Sequence, residues 1–220
     1  MNAKGIGLTI GGVLAVLLML VGVAFAVPVF KLETIDVQGA KMVSPEQVQE
    51  ATGLQEGENL LRIDARAAAE GVAQLPWVHV VSVKRSLPSS VNVTIEERVA
   101  VAYIDQPDGP HLIDAFGREF IIEIPPEGAV RLVGGESGSD NWKHAIEIAA
   151  ALPVELRQQA AEIEAHDAFN YVIIMKDGRR VVWGASEDNA DKARALATVM
   201  KMESDAREWN ISNPELVSSL

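Results

Sequence analysis

From residue 34 onward the chain alternates between strand-like and helix-like spacing of apolar residues, and most junctions carry a recognisable start or stop residue. Ile35 and Val37 alternate with Thr34, Asp36 and Gln38 before Gly39, the period of a half-buried strand closed by a turn. Ser44, Pro45 and Gln47 then stand at the N-cap, N1 and N3 positions of a short helix, with Val43 and Val48 at the hydrophobic-staple positions and Gly53 placed to end it. Asp64 starts a second helix predicted over Ala65 to Leu75, stopped by Pro76, with Ala65, Ala68, Val72 and Leu75 on one narrow stripe. Val81 and Val83, then Val91, Val93 and Ile95, alternate with polar residues as two strands joined at Leu87-Pro88-Ser89-Ser90. Val78 and Val80 fall out of phase with Val81, which predicts a bulge near His79.

The strand-like run Val99 to Ile104 continues into a second region without a Pro/Ser-rich linker. Gln106-Pro107-Asp108-Gly109-Pro110 is a turn, and His111 to Ile113 and Arg118 to Ile124 read as strands joined through Asp114-Ala115-Phe116-Gly117. Val130 to Val133 precedes a polar loop, Gly134 to Ser139, which lacks the Lys-Ser or Lys-Thr of a phosphate loop. Asp140 is the expected cap of a helix from Asn141 to Leu152, with Trp142, Ala145, Ile146, Ala149 and Leu152 facing inward. Strands follow around Ala161 to Ala165, Tyr171 to Met175 and Arg180 to Trp183, the last two joined at Lys176-Asp177-Gly178. Ser186 is the expected cap of a final helix, Glu187 to Met202, with Ala190, Ala193, Leu196, Ala197 and Met200 inward. Glu208 to Ser212 reads as a short strand before Pro214 and a polar tail.

Ahead of all this, residues 6–30 contain no charged side chain. At about 1.5 Å per helical residue they cross a hydrocarbon core of about 30 Å, so a single transmembrane helix is expected. Ala24-Phe25-Ala26 has the small-x-small form of a cleavage site, but the apolar core is longer than a signal peptide needs. A five-residue tail before a long polar remainder places the N-terminus in the cytoplasm and the body outside.

A formal net charge of −12 disfavours nucleic-acid binding, and the absence of cysteine excludes disulfides and thiolate chemistry. The four histidines, His79, His111, His144 and His166, show no ligand spacing, so neither metal nor cofactor is expected. Acidic neighbours such as Glu96-Glu97 read as solvated surface, and no nucleophile elbow or acid–base constellation stands out. No enzyme activity and no small-molecule substrate are expected. Trp77, Trp142 and Trp183 read as core plugs, as does the Trp209 ring, although Trp209 lies on a strand expected at a sheet edge.

Together these features carry a resemblance. A short tail and single span, Ile35-Asp36-Val37-Gln38-Gly39 followed by Ser44-Pro45-Glu46, then Leu75-Pro76-Trp77-Val78, and Val83-Lys84-Arg85-Ser86-Leu87-Pro88 running into Val91 to Arg98 resemble the FtsQ/DivIB family of bacterial division proteins. His111-Leu112-Ile113-Asp114, Gly117 and Phe120 resemble the start of that family's β domain. Two departures stand out. The cytoplasmic tail is very short, and Arg98-Val99-Ala100 replaces the common Arg-x-Pro.

The resemblance implies an α+β chain: a tail at 1–5, a transmembrane helix at 6–30, a β-α-α-β-β POTRA domain at 31–103, an FtsQ-type β domain with a mainly antiparallel sheet at 104–213, and a C-terminal tail at 214–220. It further implies a single-pass protein of the plasma membrane at the division septum. Its expected partners are FtsB/DivIC-type and FtsL-type proteins, with the septal peptidoglycan synthase as a further candidate. The expected partner site is the edge strand, through Trp209, Asn210, Ile211 and Ser212, with Lys192 and Arg194 from the last helix. A Pro at Ile211 is expected to remove a donor from that edge. The alternatives are a POTRA-bearing secretion or assembly component, and a secreted enzyme released after Ala26.

Overall fold

The computed structural model describes residues 12–19, 22, 29–202 and 205–219. The expected tail at 1–5 lies outside the described residues, as does most of the expected span at 6–30. Residues 12–19 and 22 are helical, and among the described residues no helix is long and apolar enough to cross a membrane. The chain divides into two compact units between Arg98 and Val99.

The first unit runs β1 (Thr34–Gln38), α1 (Pro45–Thr52), α2 (Ala65–Val72), β2 (Val78–Ser86) and β3 (Ser90–Glu97). Its sheet has the order β1-β3-β2, with β1 parallel and β2 antiparallel to β3. Val91, Val93 and Ile95 alternate inward from the central strand and are buried, as are Val48, Ala68 and Val72 of the two helices. The α1 start is the one the sequence predicts: Ser44 accepts from the Gln47 N–H, the Gln47 side chain accepts from the Ser44 N–H, and Gly53 ends the helix in the left-handed region. The bulge between Val78 and Val80 is also present. Helix α2 ends at Val72, short of Leu75, because the N–H groups of Gln74 and Leu75 bond three residues back in a tightened last turn.

Glu97 does more than the sequence indicates. Its Oε1 accepts from the backbone N–H groups of Lys41, Met42 and Val43 at 2.9, 2.8 and 2.9 Å, so the last residue of the central strand ties down the loop entering α1.

The second unit contains β4 (Ala100–Gln106), β5 (Gly109–Asp114), β6 (Glu119–Ile122), β7 (Val130–Val133), α3 (Asp140–Ala151), α4 (Val154–Gln159), β8 (Ala160–Asp167), β9 (Asn170–Met175), β10 (Arg180–Gly184), α5 (Asn189–Val199), β11 (Glu208–Asn210) and β12 (Ser218–Ser219). These strands form one sheet in the order β12-β11-β10-β9-β8-β7-β4-β5-β6. Ala100 to Tyr103 pair with β5 and, at Ala102 and Tyr103, with β7. The division between units therefore falls earlier than the expected boundary at 103/104.

The sheet is mixed. Hairpin neighbours are antiparallel, but β4·β7, β7·β8 and β10·β11 are parallel, each reached by a crossover. Helix α3 packs on β4 and β8 and against α5. Trp142, Ile146, Ile163, Ile173, Trp183 and Leu196 lie at the centre of the core. Two caps differ from expectation. Ser139, not Asp140, caps α3, its hydroxyl accepting from the Trp142 N–H. Helix α5 starts at Asn189 after Asp188 in the left-handed region, while Ser186 donates to Glu147 and accepts from Asn189. This start turns Ala190 to solvent and brings Lys192 and Val199 into the buried face.

Candidate partner-binding edge

The C-terminal end of the large sheet is built by a crossover: β10 leads into α5, and β11 returns parallel to β10 with Val181 beside Trp209 and Val182 beside Asn210. Backbone bonds flank this ladder. The Arg180 N–H donates to Arg207 O at 2.8 Å and the Ile211 N–H donates to Val182 O at 3.0 Å. Trp209 and Ile211 are buried in the core. They fix β11 to the sheet and offer a partner no surface.

The chain then reverses. Asn210 Oδ1 accepts from the Ser212 N–H and hydroxyl at 3.0 and 2.7 Å, and Asn213 Oδ1 accepts from the Glu215 N–H. Ser218 and Ser219 come back antiparallel on the outer side of β11, opposite Asn210 and Trp209. The expected edge, 208–212, is therefore covered, and the outermost strand is β12, in the segment expected to be a tail. Because Arg207, Trp209 and Ile211 direct their backbone groups toward β10, Asn210 faces Ser218, and strand alternation turns the Ser219 N–H to the open side.

Lys192 is also displaced from its expected role. It is 3% exposed and its Nζ donates to Ala185 O at 2.8 Å, so it seals the β10–α5 connection. Burial holds its pKa below the usual lysine value, partly offset by Asp188 and Glu187. Arg194 is exposed and paired with Asp191. It lines a groove of about 570 Å³ between α5 and the reversing segment, together with Asp191, Thr198, Asn213, Pro214 and Glu215. Of the six expected residues, Arg194 alone lines this groove; Asn210 and Ser212 shape the turn above it. The terminal serines and the groove's Asn213 and Glu215 carry no apolar alternation, and only Pro214 marks a break there.

Among the described residues no group of His, Asp or Glu is arranged to hold a metal ion.

The POTRA domain, FtsQ-type family model matches residues 30–98, and the Cell division protein FtsQ/DivIB, C-terminal model matches residues 102–215. The cell division protein FtsQ of Corynebacterium glutamicum is 40% identical over 99% of both chains. That of Mycobacteroides abscessus is 34% identical over 92% of this chain and 67% of its own length. Among solved structures, the major extracytoplasmic domain of the cell division protein DivIB from Geobacillus stearothermophilus aligns at 22% identity and a TM-score of 0.38, over 49% of this chain and 99% of that one. With both of its units matched by family models and a relative 40% identical along its whole length, this chain belongs to the FtsQ/DivIB family of bacterial cell division proteins.

Proposed function

We propose that this protein is a non-enzymatic divisome component, anchored by residues 6–30 with both units outside the plasma membrane at the septum. It binds FtsB/DivIC-type and FtsL-type proteins at the C-terminal end of its large sheet and so helps recruit or regulate septal peptidoglycan synthesis. The observation that carries this reading is the short outer strand β12 beside the α5 groove. An incoming strand extends the ladder beyond Ser219, and its flanking helix lies along Arg194.

The test is capture of division proteins by membrane-extracted full-length protein, with bound chains identified by mass spectrometry. Ser219→Pro removes an outward donor, and Arg194→Glu reverses the exposed charge of the groove. Both are expected to lose the small coiled-coil partners, whereas Lys192→Met, a buried position, retains them. Equal capture by all four proteins refutes this edge. Absence of division proteins from the wild-type capture refutes the assignment of partners.

A second role belongs to the first unit. Replacing residues 31–98 with an unrelated domain of similar size is expected to abolish septal localisation, and normal localisation of the chimera refutes it.

A further inference from the structure

We propose that the groove beside β1 in the first unit receives a basic, extended segment of a partner protein, which adds to the open edge of β1 as a fourth strand. Among the described residues strand β1 pairs with β3 alone and stands at the edge of its sheet. Immediately before it, the chain already augments this edge with its own backbone. Lys31 bridges Asn59 in antiparallel sense, the Leu32 N–H donates to Glu58 O at 2.9 Å, and the Gly57 N–H donates to Leu32 O at 2.8 Å. That internal ladder stops at Leu32. From Glu33 onward the edge opens into a groove of about 520 Å³ between β1 and α1. One outward carbonyl, Ile35 O, is met by the Gln49 side-chain amide at 3.0 Å, which stands where a partner's N–H would donate.

The occupant's chemistry follows from the walls. Glu33, Asp36, Glu46, Glu50 and Glu56 line the groove, with no lysine or arginine among the described lining residues. All five are exposed, and none forms an ion pair among the described residues. Free sheet edges are commonly guarded by lysine. Carboxylates here repel a second copy of this chain, whose own edge would bring the same charges, and repel an anionic membrane surface. They attract a segment carrying Lys or Arg at alternate positions, and its main chain supplies the hydrogen bonds.

The probe is a fluorescein-labelled nonapeptide of alternating Lys and Thr, titrated by anisotropy into detergent-solubilised full-length protein at low and high salt. A peptide of equal charge with Pro in place of Thr serves as control, since it cannot donate to a strand. Binding of the Lys-Thr peptide is expected to weaken with salt, with the proline peptide and the Asp36→Lys or Glu50→Lys proteins each weaker by about tenfold or more. Far-UV circular dichroism and melting of both variants identify any loss due to misfolding. Equal affinity for the two peptides means that charge alone attracts them and overturns strand addition. Undiminished binding by correctly folded Asp36→Lys and Glu50→Lys proteins places the peptide elsewhere and overturns the site. Sedimentation as a dimer that dissociates on charge reversal assigns the edge to a second copy and also overturns it.

Discussion

Glu97→Ala tests whether the first unit depends on a carboxylate that composition alone would assign to the surface. The side chain accepts three consecutive backbone N–H groups, with a further bond from Met42 N–H to Oε2 at 3.1 Å. Hydrogen bonds to a charged group contribute about 1.5–3 kcal/mol each. The Lys41 and Met42 amides are exposed and regain water when the carboxylate is removed, whereas the Val43 bond is partly buried. Counting the Val43 bond fully and the other two as residual gives a loss of about 2–3 kcal/mol for Glu97→Ala. Glu97→Gln keeps a neutral acceptor and is expected to lose about 1 kcal/mol. Urea unfolding of the full chain, followed by hydrogen exchange resolved to the peptides of each unit, separates this loss from the second unit. The amides of 41–43 are expected to exchange faster in Glu97→Ala, with Glu97→Gln intermediate. Unchanged exchange at 41–43, or a stability difference below about 0.5 kcal/mol, refutes the role of Glu97 as the loop's anchor.

Three further outcomes follow from local geometry. Ile211→Pro breaks the Ile211 N–H to Val182 O bond in a buried residue, and is expected to destabilise the second unit by about 3 kcal/mol or more in chemical denaturation, while Ser219→Pro stays within about 0.5 kcal/mol. Gly39→Ala is expected to cost at least about 2 kcal/mol in the same assay, because φ is +89° and an added Cβ would fall 2.0 Å from Ile95 O. His111 lies between Asp108 and Glu119, whose hydrogen bonds at 2.9 and 3.2 Å raise its pKa, with Asp108 the larger influence; Asp108 is lowered in return. The His111 contribution to stability is thus present below its unfolded pKa of about 6.5 and fades as pH rises through the folded value, and the Asp108 contribution fades as pH falls through its own. An NMR titration is expected to place His111 above about 6.5 and to move it down in Glu119→Gln.

The first unit was almost wholly legible because its signals are local. The capping box at Ser44 and Gln47, the left-handed Gly53 and the out-of-phase Val78 each act within a few residues, and each appears in the structure. Long-range partners were not legible. Nothing at Glu97 announces that it will meet amides more than fifty residues earlier in the chain. Lys192 looks like a surface residue until the start of α5 at Asn189 fixes its phase and turns it inward. A strand was expected over 208–212 and is found at Glu208–Asn210, but its outer neighbour was not foreseen, since the two serines of β12 have no alternation and follow the turn at Asn210 and Asn213. The FtsQ-type match also removes the alternative of a secretion or outer-membrane assembly component.

The crossover from β10 through α5 to β11 also imposes an order in time. Strand β11 lies parallel to β10, so its ladder with β10 cannot close until the crossover through α5 has been made, and β12 joins the sheet only through β11. The outer edge is therefore assembled from residues made after the rest of this sheet. A chain interrupted before residue 208 ends its sheet at β10 and lacks both β11 and the turn that walls the α5 groove. If this edge is the proposed partner site, recruitment through it requires β11 and β12 to be in place, so chains interrupted before residue 208 are not recruited.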